Sequence, residues 1–265
     1  MTVTPIYGTR ALRIESENRR LLVICDLHLG MTAELADQGI EIPSQIPKTK
    51  ERILNLIEKE KPNRLILLGD IKHNVPITSW QEWRDLPDFF SELNDHAPIE
   101  ILPGNHDGDI EGLVPQDVII HDSRGITVSD GKVGLMHGHT WPNPKLLKAE
   151  TIVTGHNHPI IEFRDKLGAR MTEPAWVKAK IDPEKFPEKL RKEITGTGFE
   201  LLVIPAFNKL IGGAPVNRGI PEELLGPMFK AGAIQLDEAE IYLLDGTFLG
   251  ELENLKKFEN TQKEE

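Results

Sequence analysis

Short apolar runs that end in Asp, His or Asn are the feature of this chain that most constrains its fold. Three of them cover residues 20–25, 64–68 and 99–102, followed by Asp26 and His28, by Asp70, and by Asn105, His106 and Asp107. Runs of this kind are typical of strands buried on both faces of a parallel sheet. Ligands bind outside the carboxyl ends of such strands, so we expect these polar side chains to meet at one rim.

The segments between these strands predict one loop and two helices. Residues 30–47 contain Gly39, Pro43 and Pro47 and are expected to form a loop, whereas residues 49–61 carry apolar side chains at helical spacing. Residues 79–94 predict a second helix, kinked or interrupted near Pro87. Strand, helix and strand in this order are typical of a right-handed parallel crossover. The aromatic residues of the second helix are expected in the core and not on a base-stacking surface: Trp80, Trp83, Phe89 and Phe90.

Beyond residue 112 the pattern changes to shorter strands, which predict a second sheet packed on the first and an α/β fold class. The strands are expected at 118–122, 125–130, 132–138, 151–156, 160–165, 169–181 and 199–208, with a turn at 166–168. A helix is expected at 183–193, and residues 234–252 predict terminal strands with a hairpin at Asp245 and Gly246. We expect one domain over residues 1–253 and a charged tail, helical or disordered, over 254–265.

Composition limits the classes of partner. The 265 residues carry 42 acidic and 31 basic side chains, a net charge of −11, which works against broad binding to nucleic acid or to an anionic membrane. A small substrate, or a nucleic acid held locally, remains compatible. The single Cys25 excludes an internal disulfide, and neither a signal peptide nor a membrane span is apparent. The sequence therefore predicts a cytoplasmic protein without membrane partners.

Two further motifs complete a set of metal ligands. His137 follows the run at 132–136, and His156 and His158 follow the run at 151–154. A site for two metal ions needs a bridging carboxylate, which Asp70 offers, together with nitrogen and oxygen ligands for each ion. Two divalent ions and two aspartates would leave the site positive, which suits a phosphate group. Mixed ligands without thiolate favour Mn, with Fe, Zn, Co and Ni as alternatives.

The ordered motifs D-x-H, GD, GNHD, HGH and GHxH, from Asp26 to His158, resemble those of the calcineurin-like metallophosphoesterase superfamily. The resemblance implies a four-layer α-β-β-α sandwich of two mixed β-sheets flanked by helices. It assigns the first metal to Asp26, His28, Asp70 and His158, and the second to Asp70, Asn105, His137 and His156. HLG at 28–30 with residues 33–43, and PAFN at 205–208 with the glycines at 212 and 213, are similar to archaeal phosphoesterases related to DNA-repair exonucleases and to DNA-ligase-associated phosphoesterases.

By the same resemblance, His106 faces the substrate and protonates the leaving oxygen while a hydroxide shared by the metals attacks phosphorus. Asp107 is expected to orient or charge that imidazole, and Asn208, His73 and His139 are expected to contact the substrate. The prediction is a phosphodiesterase, either a nuclease or a cyclic-nucleotide phosphodiesterase. Its partners are a phosphoester substrate, nucleic acid or nucleotide, and a second copy in a homodimer. Alternatives are a phosphomonoesterase or protein phosphatase on the same centre, and a non-catalytic scaffold.

Overall fold

The computed structural model describes residues 1–17, 19–165, 167–194, 199–219 and 226–261. Its strands are β1 Thr2–Pro5, β2 Leu12–Ser16, β3 Arg19–Ile24, β4 Arg64–Leu67, β5 Ile99–Ile101, β6 Ile119–Ile120, β7 Ile126–Val128, β8 Val133–Leu135, β9 Thr151–Thr154, β10 Pro159–Arg164, β11 Arg170–Lys180, β12 Glu200–Val203, β13 Ala214–Pro215, β14 Glu240–Leu243 and β15 Phe248–Glu251. Its α-helices are α1 Met31–Asp37, α2 Ile46–Glu60, α3 Trp80–His96, α4 Glu188–Arg191, α5 Pro227–Lys230 and α6 Leu252–Thr261. Lys166 of the predicted turn and residues 262–265 of the predicted tail lie outside the described residues.

The first sheet has the strand order β1-β2-β3-β4-β5-β6. Strands β3 to β6 are parallel, and α2 and α3 form the connections from β3 to β4 and from β4 to β5. The predicted strand, helix, strand unit over residues 20–70 is therefore confirmed. Because β3, β4 and β5 point the same way, the residues that follow them leave the sheet at one edge.

The second sheet has the order β13-β10-β11-β12-β9-β8-β7, and β14 and β15 extend it from β11. It is mixed: β8, β9 and β12 are parallel neighbours, whereas β11 is antiparallel to β10, β12 and β14. The predicted hairpin at Asp245 and Gly246 joins β14 to β15. A second mixed sheet, expected from the shorter strands, is confirmed.

Three clusters of buried apolar side chains fill the spaces between the layers. Side chains of both sheets interlock between them, among them Val23 and Ile66 from the first sheet and Val153 and Trp176 from the second. A second cluster lies between the first sheet and helices α2 and α3, and a third between the second sheet and α4 to α6. Each fully buried apolar side chain stabilises the fold by about 1.5–3 kcal/mol. The order helix, sheet, sheet, helix matches the predicted four-layer sandwich.

Helix α2 shows how local sequence sets an element. Pro47 occupies its first turn, where a missing N–H costs nothing, and Ile53 faces the core with no exposed surface. Lys61 ends the helix in the left-handed conformation with φ of 47°, and Pro62 cannot continue it. The structure begins the helix three residues before the predicted start at residue 49, because Pro47 is tolerated at its beginning.

Helix α3 confirms one expectation and overturns another. Ser79 and Glu82 form a capping box at its start, and the helix continues through Pro87 without interruption. Phe89 and Phe90 are buried as predicted, but Trp80 and Trp83 are 74% and 48% exposed. Helical spacing alone does not show that the first turn of the helix leaves both of these rings exposed.

Other differences concern short segments. The predicted loop at 30–47 contains helix α1, because no Gly or Pro interrupts residues 31–38. The helix predicted at 183–193 is reduced to a 3₁₀ turn at Pro183–Lys185 and the four-residue α4, separated by Pro187. The charged tail continues as α6 as far as residue 261. Over the described ranges, no helix has both the length and the hydropathy needed to cross a bilayer.

Candidate dinuclear metal centre

The predicted ligands lie in loops at the edge where the two sheets meet. Loops after β3, β4 and β5 of the first sheet and after β8 and β9 of the second carry all of them. Five of the nine non-glycine residues with positive φ in the described chain are predicted ligands: Asp26, His28, Asp70, His156 and His158. Left-handed backbone costs roughly 1–3 kcal/mol per residue and concentrates at functional sites. The surrounding packing therefore imposes these loop conformations.

The first cluster contains Asp26, His28, Asp70 and His158, which offer four ligand atoms within 4.8 Å of one another. His28 Nε2 lies 3.6 Å from Asp70 Oδ2, and His158 Nε2 lies 3.4 Å from Asp26 Oδ1. All four side chains are buried. The structure thus brings together the residues that the resemblance assigns to the first metal.

The second cluster contains Asp70, His137 and His156, again within 4.8 Å of one another. His137 Nε2 lies 3.3 Å from the same oxygen of Asp70, so that carboxylate belongs to both clusters. Asn105, the fourth residue assigned to the second metal, lies in the loop after β5 with its side chain exposed. The backbone N–H of the next residue, His106, donates to Asp70 Oδ1 at 3.0 Å, which holds that loop against the cluster.

Three buried imidazole nitrogens in these clusters indicate what the site accepts. The Nε2 atoms of His28, His137 and His158 have no hydrogen-bond partner among the described residues. Each lies 3.3–3.6 Å from a carboxylate oxygen. Two ligands on one ion, each about 2.1 Å from it, are separated by roughly 3.0–3.4 Å. The donor set and its spacing therefore fit divalent cations between the imidazoles and the carboxylates.

The charge balance supports the same conclusion. Burial alone would raise the pKa of Asp26 and Asp70, but the adjacent imidazoles hold both below the ordinary range. Burial opposes protonation of His137, yet Asp70 and Asp26 outweigh it and raise the pKa of His137 to about 9. The pKa of His158 is raised by Asp26 in the same way. Without a cation, the two carboxylates draw protons onto these imidazoles.

The remaining ligand imidazoles are neutral near pH 7. Burial lowers the pKa of His28 to about 3 and the pKa of His156 to about 4. His137 Nδ1 lies 3.0 Å from the Leu68 carbonyl and donates to it, which leaves Nε2 to face Asp70. A neutral imidazole with a free nitrogen is the form that binds a metal ion.

Two glycines allow the loops to approach so closely. A Cβ on Gly69 would lie 2.4 Å from the His137 ring, and a Cβ on Gly104 would lie 2.2 Å from Asp70 Oδ1. Real Cβ atoms do not tolerate either distance. Glycine at these two positions therefore lets the loops turn toward the ligands without a clash.

The family follows from comparison with known proteins. The family model for calcineurin-like phosphoesterases matches residues 19–182, which is more than half of the chain. This chain belongs to the calcineurin-like phosphoesterase family. The resemblance seen in the sequence is thereby confirmed, and the chain is a hydrolase of phosphoesters from a family that uses divalent metals.

Two similar proteins agree with this family. A probable metallophosphoesterase from Methanothermobacter thermautotrophicus is 31% identical over 131 residues, which cover 42% of this chain and 70% of that protein. The crystal structure of the Pseudomonas putida nuclease MPE superposes with a TM-score of 0.52 at 19% identity, covering 92% of this chain and 98% of the other. The second comparison shows a shared fold.

In this calcineurin-like phosphoesterase, His106 is held at the open side of the clusters. Its Nδ1 lies 2.6 Å from the His73 carbonyl and donates to it, and its Nε2 lies 4.0 Å from Asp70 Oδ2. The contact with the His73 carbonyl therefore directs His106 Nε2 toward the two clusters of ligand side chains. The side chain is 23% exposed, so that a substrate can reach it.

Asp107 has other partners than the imidazole expected from the sequence. Its Oδ1 accepts hydrogen bonds from the backbone N–H groups of Ile71 and Lys72, and its Oδ2 accepts one from Gly104. The carboxylate is buried and joins the loop after β4 to the loop after β5. The orienting contact to His106 comes instead from the His73 carbonyl.

The three predicted substrate contacts differ in their surroundings. Asn208 is buried, donates to the His28 carbonyl at 3.4 Å and accepts from Leu210 N, so its amide supports the loop after β3. His139 lies beside His137, with 5.3 Å between ring centroids, and burial lowers the pKa of His139 to about 4. His73 stacks on His106 at 5.8 Å. His73 and His139 lie against the ligand imidazoles of His28 and His137, whereas the Asn208 amide is bonded to the backbone.

One residue near the site was missed by the sequence reasoning. Glu34, on α1, has Oε2 2.6 Å from His73 Nε2, and His73 Nδ1 lies 3.2 Å from His28 Nδ1. Because residues 30–47 were expected to form a loop, no pattern connected Glu34 with the histidines. The only signal available was its position six residues after His28, in a segment free of Gly and Pro after Gly30.

Proposed function

We propose that this chain is a phosphodiesterase that depends on two divalent cations, with Mn²⁺ as the favoured metal. The observation that carries the proposal is the set of buried, unsatisfied Nε2 atoms facing carboxylates, with Asp70 common to both clusters. One cation would be held by Asp26, His28, Asp70 and His158. The other would be held by Asp70, Asn105, His137 and His156. A scaffold that binds no metal would not need these buried ligand atoms.

Bound cations would supply an activated water and stabilise the negative charge of the phosphate group. The residues of the chain supply the rest. Asp70 and Asp26 fix the charge of the site, and the strained loops hold the imidazoles in place before a substrate arrives. His106 presents Nε2 at the open side, where a protonated imidazole can donate to the leaving oxygen.

The position of His106 suits esters whose leaving group is an alkoxide. An alkoxide is a poor leaving group, so a positioned acid contributes about 10²–10⁴-fold to its departure. An activated aryl ester needs no such help. We therefore expect natural phosphodiesters to depend on His106 more strongly than a bis-aryl phosphodiester does.

A panel of substrates tests this proposal. The Mn²⁺-loaded protein is offered a bis-aryl phosphodiester, an aryl phosphomonoester, 2′,3′-cyclic nucleotides, and single- and double-stranded DNA. Hydrolysis of the diesters supports the proposal. Activity confined to the monoester would support a phosphomonoesterase or protein phosphatase, and no hydrolysis of any of these by the metal-loaded protein would support the scaffold.

Among diesters, nucleic acid is the substrate we propose, and the exposed tryptophans of α3 support it. Glu82, between Trp80 and Trp83, accepts hydrogen bonds from the backbone N–H groups of His73 and Asn74. The first turn of α3, which carries the two exposed rings, is thereby fastened to the loop that carries His73. The structurally similar Pseudomonas putida protein is a nuclease.

Stacking of bases on the tryptophan rings would also allow an acidic chain to bind a nucleic acid. With a net charge of −11, phosphate contacts alone would bind a nucleic acid poorly, whereas base stacking contributes about 1–3 kcal/mol per base. Replacing Trp80 and Trp83 by Ala should slow cleavage of single-stranded oligonucleotides at least tenfold and leave hydrolysis of the bis-aryl diester unchanged. Equal loss on both substrates would contradict a stacking role.

A further inference from the structure

Glu34 begins a chain of contacts that leads to the first cluster of ligand side chains. Its Oε2 lies 2.6 Å from His73 Nε2, His73 Nδ1 lies 3.2 Å from His28 Nδ1, and His28 Nε2 faces Asp70 at 3.6 Å. A carboxylate, two imidazoles and an expected metal ligand are thus connected in one line. Glu34 belongs to neither ligand cluster.

For neutral His73 and His28, only one pair of tautomers makes both hydrogen bonds, between Glu34 and His73 and between His73 and His28, and leaves His28 Nε2 unprotonated. A carboxylate accepts hydrogen bonds, so the proton of a neutral His73 lies on Nε2. His73 Nδ1 then accepts the Nδ1 proton of His28. The His28 Nε2 atom is left with a lone pair, in the buried position where it has no partner among the described residues.

We infer that Glu34 is a positioning residue that fixes the tautomers of His73 and His28, and so directs the lone pair of His28 Nε2 at a cation. The inference rests on the metal centre proposed above. Without an acceptor at Glu34, His73 can carry its proton on Nδ1. His28 must then accept on Nδ1 and carry its own proton on Nε2, which excludes a metal ion there.

The fold holds Glu34 in place independently of this contact. Leu29 pairs with Lys72 in a parallel bridge, and His73 N donates to the Leu29 carbonyl at 2.9 Å, so the segments after β3 and β4 run side by side. Helix α1 starts directly after Gly30. This arrangement places Glu34 beside the His73 ring.

Stability alone does not explain the pair. The Glu34 side chain is 50% exposed, so water competes for its oxygens, and surface contacts of this kind contribute little to folding, typically below about 1 kcal/mol. Loss of a residue that orients a ligand imidazole, as Glu34 does here through His73, typically lowers metal affinity by about 10–100-fold. We therefore expect a change at Glu34 to affect cation binding more than folding.

Three imidazoles at this place could be taken for a third metal site. His28, His73 and His106 have nitrogens within 4.8 Å of one another. The Nδ1 atoms of His28 and His73 already lie within hydrogen-bond distance of each other, and His106 Nδ1 contacts a carbonyl. These contacts favour shared protons over a third ion.

Three variants test the inference in the full-length protein. Glu34→Ala removes the acceptor, and Glu34→Gln keeps a carbonyl oxygen that can accept from His73. Gln38→Ala is the matched control, because Gln38 directly follows helix α1 and donates to the other oxygen of Glu34, Oε1, at 3.1 Å. The binding of Mn²⁺ to each metal-free protein is measured by calorimetric titration, and circular dichroism verifies folding.

We expect Glu34→Ala to weaken Mn²⁺ binding about 10–100-fold, and Glu34→Gln and Gln38→Ala to stay within about threefold of the wild type. Nitrogen-15 NMR of the metal-free protein reads the tautomers directly. It should show the Nε2–H form of His73 and the Nδ1–H form of His28 in the wild type, and a mixture in Glu34→Ala.

Unchanged tautomers or unchanged Mn²⁺ affinity in Glu34→Ala would overturn the inference. Failure of the metal centre itself gives a different result. In that case the wild type would bind no divalent cation, while the tautomers of the metal-free protein would still report whether Glu34 sets them.

Discussion

Asp70 Oδ2 lies 3.3 Å from His137 Nε2, across the seam between the two sheets. Asp70 follows a strand of the first sheet and His137 a strand of the second, so the pair forms only when the sheets are packed on each other. The same oxygen lies 3.6 Å from His28 Nε2. Folding therefore brings two imidazoles to one carboxylate, and two cations that share Asp70 would satisfy all three.

Asp70 should control both ions, because it is the only residue of the described chain common to both clusters. We expect Asp70→Ala to lose both Mn²⁺ ions and His158→Ala to lose one. Equilibrium dialysis followed by elemental analysis gives the number of ions per chain, with two expected for the wild type. Two ions retained by folded Asp70→Ala would argue against the bridging role.

The metal-free protein should be most stable near pH 6.5. His137, whose pKa is raised from 6.5 to about 9, contributes stability that is fully present below 6.5 and is lost as the pH rises through 9. His28 and His156 have pKa values lowered to about 3 and 4, so the unfolded chain binds more protons than the folded chain below pH 6.5. Stability therefore also falls as the pH drops from 6.5 toward 4.

Thermal unfolding across pH 4–10 measures this profile. Mn²⁺ should flatten its alkaline side, because the ion replaces the proton that His137 holds in the metal-free protein. Identical alkaline slopes with and without Mn²⁺ would show that His137 does not bind the ion.

Asp107 should matter for stability before it matters for catalysis. Asp107→Ala would leave three backbone N–H groups without their acceptor, and each such group costs about 1–3 kcal/mol if it stays buried. We expect the free energy of unfolding of the metal-free protein to fall by about 3 kcal/mol or more in urea titrations. The control Asp109→Asn, at an exposed residue with φ of 61°, should change it by less than about 0.5 kcal/mol. Similar effects in both variants would mean that the two loops are not joined through Asp107.

Gly104 should tolerate no side chain. Its Cβ would lie 2.2 Å from Asp70 Oδ1, so Gly104→Ala must displace the shared carboxylate. We expect Mn²⁺ affinity to fall at least tenfold, a loss typical of disturbed ligand support. Gly108→Ala, four residues along, is the control, because its Cβ would meet no described atom within 4 Å. Calorimetric titration of both variants compares them, and equal affinities would show that the loop can move aside.

The residues that meet in the two clusters could be grouped from local sequence patterns. Strands such as β3 and β4 are apolar enough to be buried, and Asp26 and Asp70 lie in the loops that follow them. Parallel strands of one sheet deliver their following residues to one edge. The order of motifs then identified the family before any contact was known.

What the sequence could not supply are contacts between loops. Glu34 and His73 are 39 residues apart, and only the pairing of residues 29 and 72 brings them together. Asp107 directly follows His106 in sequence, yet its carboxylate turns to backbone N–H groups of another loop. Asn208 was expected at the end of a strand, but β12 ends at Val203, and the Asn208 amide supports the His28 loop. Adjacency along the chain does not determine which way a side chain points.

Diffraction from crystals of the Mn²⁺-loaded protein, recorded with anomalous scattering from manganese, tests the central claim most directly. Two peaks are expected, both in contact with Asp70, one also bound by Asp26, His28 and His158 and the other by Asn105, His137 and His156. A single peak, or manganese bound away from Asp70, would contradict a dinuclear centre at the seam between the two sheets.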